Sequence, residues 1–237
     1  MISLIPPRHL RPELLDLDEA PFEEVKDSLQ DVQRVNRYLS GYRVLLHYIG
    51  QFFDRHTSPQ PIHILDAATG SADQPMEVVR YARRRGIPIQ VTAIDINPKM
   101  IRFAQEEARE FPEIRFVQCD VLHMPFDENS FDVVINSLAL HHFSEEHAVA
   151  MLKSFSRLAK QGVIINDLHR SRVAYVSIYI LTRLLTQNRL TRYDAPVSVM
   201  NAFTPDEMRA MAQEAGWQQF EVNRHFPYRI ALVENKL

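Results

Sequence analysis

The 237-residue chain has little cysteine, little glycine and no excess of charge of one sign. A single cysteine, Cys119, rules out a disulfide framework within the chain and fits a reducing compartment. It ends an apolar run with no cation beside it to activate its thiol, so it reads as a packing residue. Lys and Arg number 27 against 30 Asp and Glu, a formal net charge of -3, so no basic footprint for nucleic acid exists. The cluster Arg83-Arg84-Arg85 reads as the solvated end of a helix, where cations suit the helix dipole. No apolar run spans a bilayer: Val173–Leu185 is the longest and is interrupted by Arg183. The N-terminal residues lack the apolar core and cleavage site of a secretory signal, so a cytoplasmic protein is expected. Only six glycines occur, and the Gly-x-Gly-x-x-Gly fingerprint of dinucleotide-binding dehydrogenases is missing.

Hydrophobic residues make up 46% of the chain, enough for a sizeable core. Residues 1–20 read as an irregular arm. From about Asp31, Val32, Val35, Leu39, Tyr42, Leu46, Ile49 and Phe53 recur at spacings of three and four, predicting one amphipathic helix up to the breaker Thr57–Pro61. Short apolar runs then alternate with helical stretches. Strands are expected at Ile62–Leu65, Ile89–Ile94, Ile114–Cys119, Phe131–Asn136 and Val163–Asn166, and helices at Asp73–Arg85, Pro98–Glu110 and Glu145–Leu158. The runs are rich in Val and Ile and alternate poorly, as in strands covered on both faces. This predicts an α/β fold, a doubly wound, mainly parallel sheet. Residues 168–202 form a helical insertion after the fifth strand, and Thr204-Pro205-Asp206-Glu207 reads as a capping box for a helix ending at Gly216. Phe220–Asn223 and Tyr228–Val233 close the sheet as an antiparallel pair, giving seven strands. The domain reading is an N-terminal helical arm or lid over 1–58 and a main domain over 59–237.

In such a sheet a ligand sits beyond the carboxyl ends of the strands. After the first strand, Asp66-Ala67-Ala68-Thr69-Gly70-Ser71-Ala72 supplies small residues that let a ligand approach the backbone. The second strand ends in Asp95, suited to a ribose diol, and the third in Cys119-Asp120, suited to an exocyclic adenine amine. Asp95 could alternatively cap a helix, but Asn97 can do that itself.

Taken in order, these segments resemble class I S-adenosylmethionine-dependent methyltransferases. Ile64 to Ala72 resembles that family's first motif, Ala93 to Met100 its second, Asp120 to Phe126 the segment around adenine, and Phe131 to His142 the fourth strand and the edge of the transfer site. The resemblance implies a Rossmann-like fold with S-adenosylmethionine as cofactor and S-adenosylhomocysteine as product. It implies cofactor contacts from Asp66, Ala68, Thr69, Gly70, Asp95, Ile96, Met100, Asp120, Val121, Asn136 and Ser137. In the family Asp66 orders the turn and approaches the methionine end of the cofactor. Where the family has glycine, this chain has Ala68 and Ala72, a change tolerated if both positions take negative φ.

Methyl transfer from a sulfonium is an in-line displacement, and an oxygen or acidic carbon acceptor must also lose a proton. His141 and His142 after the fourth strand, and Asp167 and His169 after the fifth, are the candidates for that work. His142 and His147 are five apart and do not share a helical face, so no metal is expected. The arm and the insertion carry Phe22, Tyr38, Tyr42, Tyr175, Tyr179 and Tyr193, which suggest an apolar, aromatic small-molecule acceptor. Arg34–Leu39 and Asn201–Pro205 resemble bacterial methyltransferases of polyketide-type phenols. The leading expectation is therefore O-methylation of a small phenolic acceptor. C-methylation of a quinone precursor is the alternative, and a non-catalytic, regulatory relative is a third reading resting on Ala68 and Ala72. A homodimer is left open; nucleic acid and integral membrane segments are not expected.

Overall fold

The structure, a computed structural model, describes residues 5–17 and 19–236. Seven strands form one sheet in the order β3-β2-β1-β4-β5-β7-β6. They are β1 (Ile62–Ala67), β2 (Ile89–Asp95), β3 (Ile114–Gln118), β4 (Phe131–Ser137), β5 (Ala159–Leu168), β6 (Phe220–His225) and β7 (Arg229–Asn235). β7 runs antiparallel to both neighbours, β5 and β6, and the remaining pairings are parallel. The strand order reverses between β1 and β4, which places the crevice for a ligand at their carboxyl ends.

Both faces of the sheet are covered, which explains the weak alternation of its strands. Leu65, Val134, Val163 and Ile165 face a core shared with α5 (Glu145–Leu158) and α8 (Pro205–Glu214). Ile64, Val133, Ile135 and Ile164 face the other, shared with α2 (Gly41–Arg55) and α3 (Asp73–Arg85). The helix starts follow local chemistry. Asn97 caps α4 (Pro98–Glu107), Ser144 caps α5 and Ser171 caps α6 (Arg172–Leu185), each accepting from a backbone N–H of the first turn. Thr204 and Glu207 form the full capping box of α8.

The N-terminal region departs from expectation. The predicted single helix is two, α1 (Phe22–Tyr38) and α2, separated at Ser40, whose φ of 65° is left-handed. The buried face of α2 is Val44, Leu45, Tyr48, Ile49, Phe52 and Phe53, so the continuous stripe does not survive the break. The insertion holds a second helix, α7 (Arg189–Asn201), capped by Asn188. Arg83 and Arg85 are at the end of α3 as expected, where they pair with Glu113 and Asp54. Among the described residues no helix is long and apolar enough to cross a membrane.

β5 meets β7 at one point that tolerates no side chain. A Cβ on Gly162 would stand 2.1 Å from the Glu234 carbonyl oxygen and 2.9 Å from the Phe52 ring. Gly162→Ala should therefore lower stability by about 1–3 kcal/mol, or more if the strands cannot part. Urea unfolding checks this, and an unchanged midpoint would show that the strands yield freely.

Candidate active site

Asp66 ends the buried part of β1 and is 1% exposed. Beyond it the backbone winds through left-handed φ at Ala68 (59°), Gly70 (54°) and Ala72 (57°). The condition under which the two alanines would be tolerated, negative φ at both, is therefore not met. An L-residue held there costs roughly 1–2 kcal/mol. The turn is fastened from three sides: Thr69 N donates to Ile94 O (2.8 Å), Ala72 N to Thr69 O (2.9 Å) and Gly70 N to Asp95 Oδ2 (2.9 Å). Asp95 Oδ1 accepts from Asn97 N at 2.9 Å, while Asn97 itself caps α4. Asp95 thus braces the turn while Asn97 caps the helix, and each Asp95 oxygen keeps a further lone pair.

The surroundings fit a polar ligand. A Cβ on Gly70 would meet nothing within 4 Å, so the turn opens onto free space. On the segments that follow β1 and at the end of β4, Asp66 Oδ2, Thr69 Oγ1, both amide atoms of Gln74, Asn136 Oδ1 and Ser137 Oγ are buried without a hydrogen-bond partner. Each such atom costs about 1–3 kcal/mol unless something pairs with it, and the amino-acid end of S-adenosylmethionine offers the donors and acceptors. Asn136 is oriented by donating from Nδ2 to Ala67 O at 2.8 Å. Burial, helped by the charges of Asp73 and Asp95, pushes the Asp66 carboxyl up to about 7. Further along the same edge, Ile96 is 63% exposed, as a residue that covers an adenine would be, while Met100 and Val121 are buried beneath. Asp120 accepts from Leu122 N and pairs with His123 Nδ1, both at 2.9 Å, and these contacts hold its carboxyl below the usual range.

The second half of the site follows β4. A single turn of 3-10 helix, Leu140–His142, presents two tilted imidazoles with centroids 4.4 Å apart. His141 is buried. Its backbone N–H and its Nδ1 both bind the Asp167 carboxylate, at 3.1 and 2.6 Å. Its Nε2 is 3.4 Å from Glu13 Oε1. Burial opposes charge on the ring, but Asp167 and Glu13 outweigh it and raise His141 to about 10. Asp167 is buried as well, yet His141 holds its carboxyl below the usual range. His142 is a quarter exposed, with Nδ1 on Asp16 Oδ2 (2.8 Å) and Nε2 3.9 Å from Glu13 Oε1. His169 is not part of this group. Burial and the nearby Arg224 and Arg170 lower it, and no hydrogen bond or ion pair among the described residues joins it to His141 or His142.

Glu13 and Asp16 were missed by sequence reasoning because they reach the site from an irregular arm more than 120 residues away. The arm is tied down by specific bonds. Arg8 donates to His141 O and Phe143 O, Leu14 N and Leu15 N donate to the Asp194 carboxylate, and Ser198 Oγ donates to Glu13 Oε1. Arg170 binds Pro6 O and the Glu207 carboxylate. The aromatic residues expected to line one pocket are dispersed: Phe22 packs edge-on against Phe103, Tyr175 stacks on Tyr179, and Tyr38 is 77% exposed.

Residues 64–162 match the family described as a methyltransferase domain. Those residues thus form a methyltransferase domain of the S-adenosylmethionine-dependent kind. Its relatives include the ubiquinone/menaquinone biosynthesis C-methyltransferase UbiE of Rickettsia felis, 27% identical over 183 residues, which are 70% of this chain and 73% of the relative. The demethylmenaquinone methyltransferase of Thermotoga maritima is 26% identical over 169 residues, 67% of this chain and 71% of that protein. In fold, the methyltransferase is similar to a SAM-dependent methyltransferase from Aquifex aeolicus, with a TM-score of 0.61, 16% identity, and coverage of 92% of this chain and 100% of the other. It is likewise similar to the magnesium protoporphyrin IX methyltransferase of Synechocystis with bound S-adenosylhomocysteine, with a TM-score of 0.63, 16% identity, and coverage of 91% and 94%.

With Asp66 raised, a ligand ammonium placed beside it would couple binding to the loss of a proton. Its folded value of about 7 exceeds its ordinary 3.8, so the free protein favours the protonated form and loses stability as pH rises between these values. A ligand ammonium beside Asp66 favours the carboxylate. S-adenosylhomocysteine binding at about pH 6.5 should then release a proton, seen as a calorimetric heat that varies with buffer ionisation enthalpy. Asp66→Asn should abolish that variation; a buffer-independent heat for the unsubstituted protein would place the ammonium elsewhere.

Proposed function

We propose that this methyltransferase methylates a ring or enolic carbon of a small acceptor bearing an acidic hydroxyl, held where Glu13, His141 and His142 converge. The observation that carries this reading is the buried His141–Asp167 pair, one turn beyond β4, with its outer nitrogen facing a carboxylate. S-adenosylmethionine supplies an electrophilic methyl group on a sulfonium. The chain's own part is to place the acceptor in line with that methyl, to keep water out and to take the hydroxyl proton. His141, raised to about 10, already carries its proton at neutral pH and acts as a fixed cation. The proton-accepting groups that face an acceptor are the Glu13 carboxylate and His142 Nε2, whose ring is oriented by Asp16. This shifts the base from His141 and His169, both candidates on sequence, toward His142 and Glu13.

The relatives named for C-methylation support carbon as the receiving atom. Oxygen is the second reading, since the same deprotonated hydroxyl is itself a nucleophile and the in-line geometry decides between them. Arg8, Glu13, Leu14, Leu15 and Asp16 bond to the turn after β4 and to α7, and we read the 1–58 arm as a lid over the acceptor site. The half-buried single cysteine fits a cytoplasmic setting.

Product analysis tests this directly. With S-adenosylmethionine and a panel of demethylated quinols and polyketide-type phenols, the protein should give C-methylated product by NMR. O-methyl ether alone would establish the second reading. His142→Gln should lower kcat by about 10²–10⁴-fold, and a rate unaffected by it would remove His142 as the proton acceptor.

A further inference from the structure

We propose that Glu13, His141 and His142 form a binding site for a divalent transition-metal ion, whose open position takes the acceptor's oxygen. The inference deepens the acceptor-site reading above and rests on it for the second half. It starts from convergence. His141 Nε2, His142 Nε2 and a Glu13 carboxylate oxygen lie within 4.8 Å of one another. The two distances to Glu13 Oε1 are 3.4 and 3.9 Å, too long for hydrogen bonds. Ligand atoms at about 2.0–2.1 Å from a tetrahedral zinc ion stand roughly 3.4 Å apart. Both spacings to Glu13 therefore lie within about 0.5 Å of the spacing an ion requires.

The outer contacts of the two histidines have the form that metal-ligating imidazoles take. Each ring uses Nδ1 on a carboxylate, Asp167 for His141 and Asp16 for His142, which fixes the ring and turns the Nε2 lone pair inward. His141 Nε2 is 2% exposed as a side chain and has no hydrogen-bond partner. A buried nitrogen aimed at a carboxylate it does not bond is unsatisfied as it stands. Charge points the same way. Glu13, Asp16 and Asp167 surround the two imidazoles, and Asp194 is close enough that Glu13 and Asp16 help raise its carboxyl. A dication offsets this excess where one shared proton does not.

Imidazole with carboxylate suits zinc, iron and manganese alike, and three protein ligands leave a position open. An acceptor hydroxyl bound there would lose its proton to solvent more readily, since the ion stabilises the oxyanion; with the ion in place Glu13 and His142 serve as its ligands and no longer as the proton acceptors. Binding forms three coordinate bonds and displaces the proton of His141 to solvent; no electron changes hands.

The test uses the full chain, stripped with a chelator and titrated with Zn²⁺ by calorimetry, with Co²⁺ as a visible-absorption probe. We expect one ion per chain, a tetrahedral-type Co²⁺ spectrum, and loss of both in Glu13→Gln and His142→Gln. Asp16→Asn, at a half-exposed position, keeps the fold intact and should weaken Zn²⁺ about 10–100-fold. No Zn²⁺ uptake by the unsubstituted protein, or uptake undiminished by Glu13→Gln and His142→Gln, would overturn the site. Uptake with a methylation rate unaffected by chelation would overturn the acceptor role alone. Uptake without any methyl transfer would instead count against the proposed reaction, so the two failures are distinguishable.

Discussion

The turn between β1 and α3 is held left-handed at Ala68, Gly70 and Ala72, and the cofactor half of the site depends on that curvature. It brings Gly70 N onto Asp95 Oδ2, and so ties the end of β1 to the end of β2. Thr69, Gln74 and Asp66, on and beside this turn, are buried with unpaired polar atoms. Two of the three positions carry alanine, whose Cβ makes the conformation unfavourable by roughly 1–2 kcal/mol each. The strain is sustained because the surrounding bonds over-determine the backbone, a pattern common where a ligand must come close. A bare glycine turn would relax more easily, at the expense of preorganisation.

The acceptor half depends on a different constraint, the burial of charge. His141 and Asp167 are sealed at the end of β4 and β5 and could not both be ionised there without each other. The arm completes this arrangement by adding Glu13 and Asp16 from the far side. A single closed state therefore brings together three distant parts of the chain: the arm, the turn after β4 and α7, which holds the arm through Asp194 and Ser198. Displacing the arm would break these bonds together and take Glu13 and Asp16 from the histidines, so the arm's position and their charge balance are coupled.

Much of this was legible in the sequence where the signal is local. Val- and Ile-rich runs, the Thr204–Glu207 capping box and the acids at strand ends each follow from chemistry within a few residues. The break at Ser40 was hidden because one left-handed residue barely disturbs a spacing of three and four. The sign of φ at Ala68 and Ala72 is not legible in the sequence because residue type biases φ without fixing it, and here the hydrogen bonds of the turn decide. Glu13 and Asp16 were invisible because no periodicity links an irregular arm to a turn some 126 residues later. The argument against a metal compared histidines along one helix, whereas the convergent group draws on two separate segments.

The central claim is that the β1 turn and the acid ending β2 form the cofactor site, and calorimetry with S-adenosylhomocysteine tests it most directly. The unsubstituted protein should bind one equivalent per chain, and Asp95→Ala, which removes both the brace on Gly70 N and the ribose acceptor, should abolish detectable binding. Absence of binding by the unsubstituted protein, or binding of equal strength by Asp95→Ala, would contradict the account.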